Sequence, residues 1–165
     1  RYSAVVILGL GIMAFLVYPT IIALFVKKMT WRKFMSGMRD AQITAFSTSS
    51  SVATLPVTMK CVEEKLGVSE RSSSFVLPIG ATVNMDGTSL YQAIAVVALA
   101  QFHMVDLSIA QQMVIVLTAT LASIGAAAVP SAGLVLMIIV VESVGLSPSW
   151  IALIFPVDRI LDMCR

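Results

Sequence analysis

Residues 84–88, with the sequence Asn-Met-Asp-Gly-Thr, lie in the middle of an otherwise uncharged apolar run over residues 75–104. A carboxylate inside a membrane-spanning helix costs about 2.5–3.5 kcal/mol on insertion scales, so Asp86 requires a partner. Gly87 weakens the helix here, while Asn84 and Thr88 add polar oxygens to those of the backbone. Such a collection of oxygen ligands suits a hard cation. A helix cap or a polar clamp between helices would use the same residues.

A second polar group lies near the last residue of the chain, where Asp162 and Arg165 are three positions apart. This spacing puts both side chains on one face of a helix. Asp162 offers a carboxylate to an ammonium group, and Arg165 can hold a carboxylate through two parallel hydrogen bonds. An ion pair within one helix, at a cytoplasmic helix end, is the alternative, and Asp158 and Arg159 fit either interpretation.

The composition indicates an integral membrane protein. The chain has 165 residues, of which 58% are apolar and 12% charged, with a mean hydropathy of +0.95. Soluble domains carry about 25% charged residues, and uncharged runs of this length favour α-helical spans over a barrel. The basic residues cluster between positions 27 and 71, which predicts that this stretch faces the cytoplasm. The net charge of +2 gives no indication of a nucleic-acid partner.

The apolar segments divide the chain into five predicted elements. Positive charge flanks residues 41–60 on both sides, so this segment cannot cross once and is predicted to enter and return; a serine-rich linker is the alternative. Residues 111–143 are too many to cross the membrane once and too few to cross it twice. Neither side of this segment carries a nearby Lys or Arg. The elements are a transmembrane helix at 1–28, re-entrant hairpin 1 at 41–60, a broken transmembrane helix at 72–104, re-entrant hairpin 2 at 111–143 and the start of a last transmembrane helix at 150–165.

The two hairpins belong to an internal repeat. Residues 49–56 and 123–130 both run from Ser to Pro through small side chains, and an intramembrane acid, Asp86 or Asp162, follows each about 30 residues later. Paired interrupted segments of this kind point to a transporter's binding site. The predicted fold is therefore all-α integral membrane, with transmembrane helices and two oppositely oriented re-entrant helical hairpins that form an inverted repeat.

The chain resembles the glutamate transporter family, the dicarboxylate/amino-acid:cation symporters, along essentially its whole length. The resemblance rests on the serine-rich segment 49–56, the segment Gly-Ala-Thr-Val-Asn-Met-Asp-Gly-Thr at 80–88, the segment Ala-Ser-Ile-Gly at 122–125 with Val-Pro at 129–130, and Asp-Arg-Ile-Leu-Asp-Met-Cys-Arg at 158–165. It departs from the family at four positions: Val52 replaces a further tip serine, Ala128 replaces a gate glycine, and neither Ser49 nor Met163 supplies the additional arginine that the family generally has.

The resemblance implies that residues 1–165 are most of a mobile transport domain, without the scaffold helices that form a homotrimer. It implies symport of L-aspartate or L-glutamate with Na⁺ across the plasma or bacterial inner membrane, by an elevator-type movement in the lipid bilayer. The substrate contacts it implies are Ser50, Ser51, Thr88, Val129, Gly133, Asp162 and Arg165. The Na⁺-site residues it implies are Gly80, Thr82, Asn84, Asp86, Ser123, Ile124 and Ala126.

Several functional alternatives remain open from the sequence. Within the transporter class these are proton coupling and C4-dicarboxylate transport. A passive ion channel would not need complementary groups for both ends of an amino acid. Two intramembrane aspartates could also form an aspartyl protease that shares one proton. The Asp-Gly-Thr order at 86–88 does not match that enzyme class, so we predict that the chain is not an enzyme.

Overall fold

The computed structural model describes residues 1–26, 29–126 and 131–165, and every regular element within these ranges is helical. This confirms the prediction of an all-α chain. In chain order the first elements are α1 (Tyr2–Ile12), a π-helical turn (Met13–Val17), α2 (Tyr18–Phe25), α3 (Trp31–Gly37), α4 (Arg39–Thr48), α5 (Ser51–Lys60) and a second π-helical turn (Cys61–Lys65). There follow α6 (Glu70–Val83), α7 (Asp86–Phe102), α8 (Ile109–Ile124), α9 (Ala132–Glu142), a 3₁₀ helix (Pro148–Leu153) and α10 (Phe155–Cys164).

The first two helices and the π-helical turn between them form one continuous apolar helix, Tyr2–Phe25. It has 24 residues, and its most apolar 18-residue window has a mean hydropathy of 2.5 and is only 6% buried within the chain. At about 1.5 Å per residue it is long enough to cross a hydrocarbon core of roughly 30 Å. Within the described ranges it is the one helix that meets both the length and the apolarity of a membrane span.

Two pairs of short helices follow one another along the chain, and a tight turn joins the two members of the first pair. Ser49 has a φ of 52° and ends α4, and the side chain of Ser50 accepts a hydrogen bond from the N–H of Ala53 at 3.2 Å to cap α5. Serine and similar residues are preferred at this cap position because they satisfy a free N–H. In the second pair, α8 ends at Ile124 and α9 begins at Ala132.

The helix over the third predicted element is interrupted where the polar residues 84–88 lie. α6 ends at Val83, Asn84 and Met85 have non-helical backbone angles, and α7 begins at Asp86. An interruption of this kind removes the helical partners of the carbonyls in the last turn of α6 and of the first N–H groups of α7. Polar backbone atoms are therefore concentrated around Asp86.

The last predicted helix begins later than expected. We predicted helix from residue 150, but residues up to Leu153 form the 3₁₀ helix and α10 starts at Phe155. Pro156 lies at the start of α10, where its missing N–H has no helical partner to lose.

The apolar core surrounds α7. Tyr91, Val96 and Leu99 of α7 are buried against residues of α8 and α9 such as Ile115 and Met137. Many large apolar side chains instead point outwards, among them Phe15, Phe25, Phe75, Ile109 and Phe155. Exposed apolar surface on this scale is typical of a chain that meets lipid or other protein.

An exposed ion pair joins the start of α4 to the second π-helical turn. Lys65 Nζ lies 2.5 Å from Asp40 Oδ2. The Lys65 ammonium lowers the pKa of Asp40, and the Asp40 carboxylate raises the pKa of Lys65. The ion pair therefore joins the segment that follows α5 to the first turn of α4.

Candidate binding site

One cavity of about 390 Å³ collects residues from distant parts of the chain. Its walls come from the α4–α5 turn, the interruption before α7, the start of α9 and the end of α10. The lining residues are Gln42, Ala45, Phe46, Ser49, Ser50, Ser51, Asn84, Met85, Asp86, Gly87, Thr88, Ala126, Ala132, Gly133, Asp162, Met163, Cys164 and Arg165. Both polar groups identified in the sequence therefore face the same space.

The end of α10 supplies a buried ion pair to this cavity. Arg165 Nη2 and Nε lie 2.5 and 2.7 Å from Asp162 Oδ1. The two side chains are only 6% and 5% exposed. Nη1 of Arg165 is buried too and has no hydrogen-bond partner within the described residues. A buried donor without a partner is costly, so Nη1 is poised to bind an acceptor that enters the cavity.

The second carboxylate oxygen of Asp162 binds the start of the α9 segment. The N–H of Ser131 donates to Asp162 Oδ2 at 2.8 Å. Ser131 has a φ of 60°, a left-handed conformation that is uncommon for residues other than glycine. Asp162 thus holds both Arg165 and Ser131, the residue directly before α9.

Two glycines allow the backbone to approach Arg165. A Cβ on Gly133 would overlap the guanidinium, and a Cβ on Gly87 would overlap the backbone carbonyl of Arg165. Small residues at such contacts let helices and ligands come together closely. Gly133, one of the substrate contacts that the resemblance implies, therefore lies directly against Arg165.

A tyrosine that the sequence analysis did not identify supports the ion pair. The ring centroid of Tyr91 lies 4.6 Å from Cζ of Arg165, and its hydroxyl donates to the buried carboxylate of Asp158 at 2.6 Å. A guanidinium over an aromatic face is stabilised by the ring's negative charge density. Tyr91 is three residues after Thr88 and lies on the same face of α7. This spacing could have identified Tyr91 as a candidate site residue from the sequence.

Asp86 has a different partner from Asp162. The hydroxyl of Tyr18 in α2 donates a hydrogen bond to Asp86 Oδ2, and no Lys, Arg or His forms an ion pair with Asp86 in the described parts of the chain. Tyr18 was also missed, because its alignment with Asp86 depends on how α2 packs. Its phenol hydroxyl in a helix of mostly apolar residues was the available signal.

The structure brings together only part of the predicted residue set. The residues that line the common cavity are Ser50, Ser51, Asn84, Asp86, Thr88, Ala126, Gly133, Asp162 and Arg165. Val129 lies outside the described residues. Gly80, Thr82, Ser123 and Ile124 are described but do not line this cavity.

The residues outside the cavity make local contacts instead. The hydroxyl of Thr82 donates to the carbonyl of Ile79 at 3.1 Å, and the carbonyl of Gly80 accepts the N–H of Asn84 at 3.0 Å. The buried hydroxyl of Ser123 donates to the carbonyl of Thr120 at 2.8 Å. Ile124, which follows it, is exposed. No group of three or more His, Cys, Asp or Glu side chains that could hold a metal occurs in the described ranges.

The helices enclose a cavity that is lined by a buried ion pair, and comparison with known proteins identifies the family of the chain. The model of the sodium:dicarboxylate symporter family matches residues 1–165. The chain is 52% identical to excitatory amino acid transporter 1 of Rattus norvegicus over 164 residues, which are 99% of this chain and 30% of the relative. It is 52% identical to excitatory amino acid transporter 3 of Mus musculus, covering 99% of this chain and 31% of that protein. It is 51% identical to an excitatory amino acid transporter of Caenorhabditis elegans, covering 99% of this chain and 32% of that one.

The chain belongs to the sodium:dicarboxylate symporter family. This confirms the resemblance and the prediction that the chain is not an enzyme, which removes the aspartyl protease alternative. The chain spans about a third of the length of the curated relatives it matches.

Proposed function

We propose that this chain is part of the transport domain of a Na⁺-coupled symporter for the acidic amino acids L-aspartate and L-glutamate. The observation that carries the proposal is the buried guanidinium of Arg165, whose Nη1 lacks a partner within the described residues while Asp162 lies beside it in the cavity. One site thus offers a positive group to a carboxylate and a negative group to an ammonium.

The substrate would be held at three points. Arg165 would bind the side-chain carboxylate and Asp162 the ammonium group. The remaining carboxylate would lie at Ser50 and Ser51, where α5 begins, because the free N–H groups and the dipole of a helix N-terminus attract anions. The other substrate contacts that we propose are Thr88, Gly133 and Val129.

Na⁺ would bind around the interruption between α6 and α7. Asp86 supplies a carboxylate that lacks an ionic partner in the described ranges, and Asn84 adds an amide at the same wall of the cavity. Carboxylate, amide and carbonyl oxygens are the ligands that hard cations prefer. Thr82 and Gly80 before the interruption, and carbonyls of Ser123, Ile124 and Ala126 at and just beyond the end of α8, complete the proposed cation-site residues.

The charges also favour this substrate class over two others. A neutral amino acid would leave the buried guanidinium of Arg165 without an incoming carboxylate, which is unfavourable. A C4-dicarboxylate has no ammonium group to offer Asp162. The name of the family includes dicarboxylates, so the proposed preference for acidic amino acids rests on the pairing of Asp162 with Arg165 at the cavity wall.

Helix lengths support the proposed hairpins. α4 and α5 have 10 residues each, α8 has 16 and α9 has 11. At 1.5 Å per residue these helices are roughly 15–24 Å long, shorter than the hydrocarbon core of about 30 Å. We therefore propose that the α4–α5 and α8–α9 pairs are oppositely oriented re-entrant hairpins related as an inverted repeat.

The wider architecture is part of the same proposal. The chain would be most of an elevator-type domain that moves substrate and Na⁺ together past a separate scaffold. That scaffold would form a homotrimer in the plasma or bacterial inner membrane. The large exposed apolar side chains of the long helix Tyr2–Phe25 are compatible with contact to lipid and to such a scaffold.

Uptake into proteoliposomes that contain the complete polypeptide tests the proposal. Radiolabelled L-aspartate should accumulate with an inward Na⁺ gradient and should not accumulate when choline replaces Na⁺ at fixed pH. Asp86→Asn should remove the Na⁺ dependence. Full uptake in choline driven by an inward pH gradient would instead establish proton coupling, and equal downhill flux without any coupling would establish a channel.

A further inference from the structure

The carboxylates of Asp86 and Asp162 line the same cavity but have chemically different partners. Asp162 is paired with the guanidinium of Arg165, whereas Asp86 accepts a hydrogen bond from the phenol of Tyr18, 68 positions away in the sequence. A guanidinium neutralises a carboxylate, but a phenol does not. The hydrogen bond from Tyr18 therefore holds one oxygen of Asp86, Oδ2, in place without bringing a positive charge to the carboxylate.

The shape of the long apolar helix determines where Tyr18 lies. The backbone N–H of Tyr18 donates a hydrogen bond to the carbonyl of Met13, five residues earlier. This bond closes the π-helical turn Met13–Val17. One additional residue in a turn rotates the following helix by about 100° about its axis, and such π-bulges are frequent at functional sites. Pro19 follows directly and fits the start of α2. The π-helical turn thus points the phenol of Tyr18 in a different direction from the one it would have in a regular helix.

We propose that Tyr18 is a positioning residue for the cation site, a role that rests on the proposed Na⁺ function of Asp86. Its hydroxyl holds Asp86 Oδ2 and leaves Oδ1 free to meet the cation. Because the phenol carries no charge, it orients the carboxylate without competing electrostatically with Na⁺. A Lys or Arg at the same place would compete with Na⁺ for the charge of Asp86.

The variant Tyr18→Phe removes the hydroxyl and keeps the ring. Na⁺ activation of L-aspartate uptake is measured in proteoliposomes with the complete polypeptide. The Na⁺ concentration for half-maximal uptake should rise at least about tenfold, as expected for loss of a hydrogen bond to a charged group. The maximal rate at saturating Na⁺ and the KM for L-aspartate measured there should stay within about twofold of the unmodified protein.

A matched control lies two residues further along the same helix. The hydroxyl of Thr20 donates to the carbonyl of Leu16 at 2.6 Å, so Thr20→Val removes a hydroxyl from the same helix without touching Asp86. This variant should keep the original Na⁺ dependence. Thermal stabilisation of the purified protein by Na⁺ alone gives a second readout, and its half-maximal Na⁺ concentration should rise in Tyr18→Phe by the same factor as in uptake.

Two results would overturn the role of Tyr18. One is an unchanged Na⁺ dependence in Tyr18→Phe, and the other is a loss of rate that saturating Na⁺ does not restore. Asp86→Asn separates this inference from the proposed function. Normal Na⁺ activation in Asp86→Asn would refute the proposed function itself, whereas lost activation there with a normal Tyr18→Phe curve would refute only the role of Tyr18.

Discussion

Gly133 and Arg165 are in direct contact, with the glycine backbone of α9 packed against the guanidinium. A Cβ on Gly133 would come within 2.9 Å of Cζ and closer still to Nη1. The carbonyl of Gly133 also accepts a hydrogen bond from Nε2 of the buried Gln92 at 2.9 Å. α7 therefore fixes the glycine on one side while Arg165 occupies the space on the other.

Gly133→Ala should displace the guanidinium of Arg165, because the backbone held by Gln92 cannot easily retreat. We expect the KM for L-aspartate to rise about tenfold, which corresponds to roughly 1.4 kcal/mol. Transport kinetics of the complete polypeptide measure this effect. Gly11→Ala is the matched control, since a Cβ there meets no atom of the described residues within 4 Å. An unaltered KM in Gly133→Ala would contradict the assigned position of Arg165.

Arg165→Cys should shift selectivity from acidic to neutral amino acids. Truncating one member of a buried charge pair costs about 2–5 kcal/mol, so affinity for L-aspartate should fall at least about thirtyfold. Competition of labelled L-aspartate and L-serine uptake by unlabelled amino acids measures the shift. Arg159→Cys changes an exposed arginine of the same helix and should behave as the unmodified protein. Retention of normal L-aspartate affinity in Arg165→Cys would be incompatible with the proposed substrate site.

Tyr91→Phe should destabilise the fold by about 1–3 kcal/mol, because Asp158 is 2% exposed and would lose its phenol donor. The ring over Arg165 is kept, so the change isolates the hydroxyl. Thermal unfolding in detergent measures the loss. In a double-mutant cycle, adding Asp158→Asn should cost less in the Tyr91→Phe background than in the unmodified protein. Strict additivity of the two changes would show that the 2.6 Å contact carries no coupling.

The ion pair between Asp40 and Lys65 should give a small stability contribution that depends on pH and salt. The pKa of Asp40 is lowered in the folded protein, so its contribution is present above the unfolded value of about 3.9 and is lost as the pH falls through the folded pKa. The pKa of Lys65 is raised, so its contribution is present below about 10.4 and is lost as the pH rises through the folded value.

Lys65→Met tests this dependence. Its Tm should be slightly below that of the unmodified protein at pH 7, and the two values should converge as the pH falls through the lowered pKa of Asp40. The gap should also shrink in 0.5 M NaCl, because exposed pairs are screened by salt. Lys33→Met is the control, since Lys33 forms no ion pair within the described residues. A gap that is unchanged below the lowered pKa of Asp40 would show that the stabilisation is not ionic.

Much of the fold could be predicted from the sequence because membrane segments impose strong local patterns. The apolar run from Tyr2 onwards, the helical character of the whole chain and the polar residues around Asp86 all follow from residue type and order. The relation of Asp162 to Arg165 was equally accessible, since i and i+3 positions on a helix share a face. Each of these predictions needed only the residue types and their spacing within one segment.

The partners supplied by other helices could not be predicted in this way. Tyr18 and Tyr91 reach Asp86 and Asp158 across distances set by helix packing, and Ser131 meets Asp162 through backbone rather than side-chain chemistry. No periodicity within one segment encodes these contacts. They depend on the angle and register at which whole helices pack.

The distribution of the cavity residues along the chain has a consequence for biosynthesis. The residues that line the cavity range along the sequence from Gln42 to Arg165. The helix α10 packs against both α1 and α4. Because chains emerge from the ribosome amino end first, the residues that line the cavity cannot assemble until α10 has been synthesised. Until then Asp86 and the α4–α5 turn lack their final neighbours, so this interval is when the nascent chain most needs protection by the insertion machinery or by chaperones.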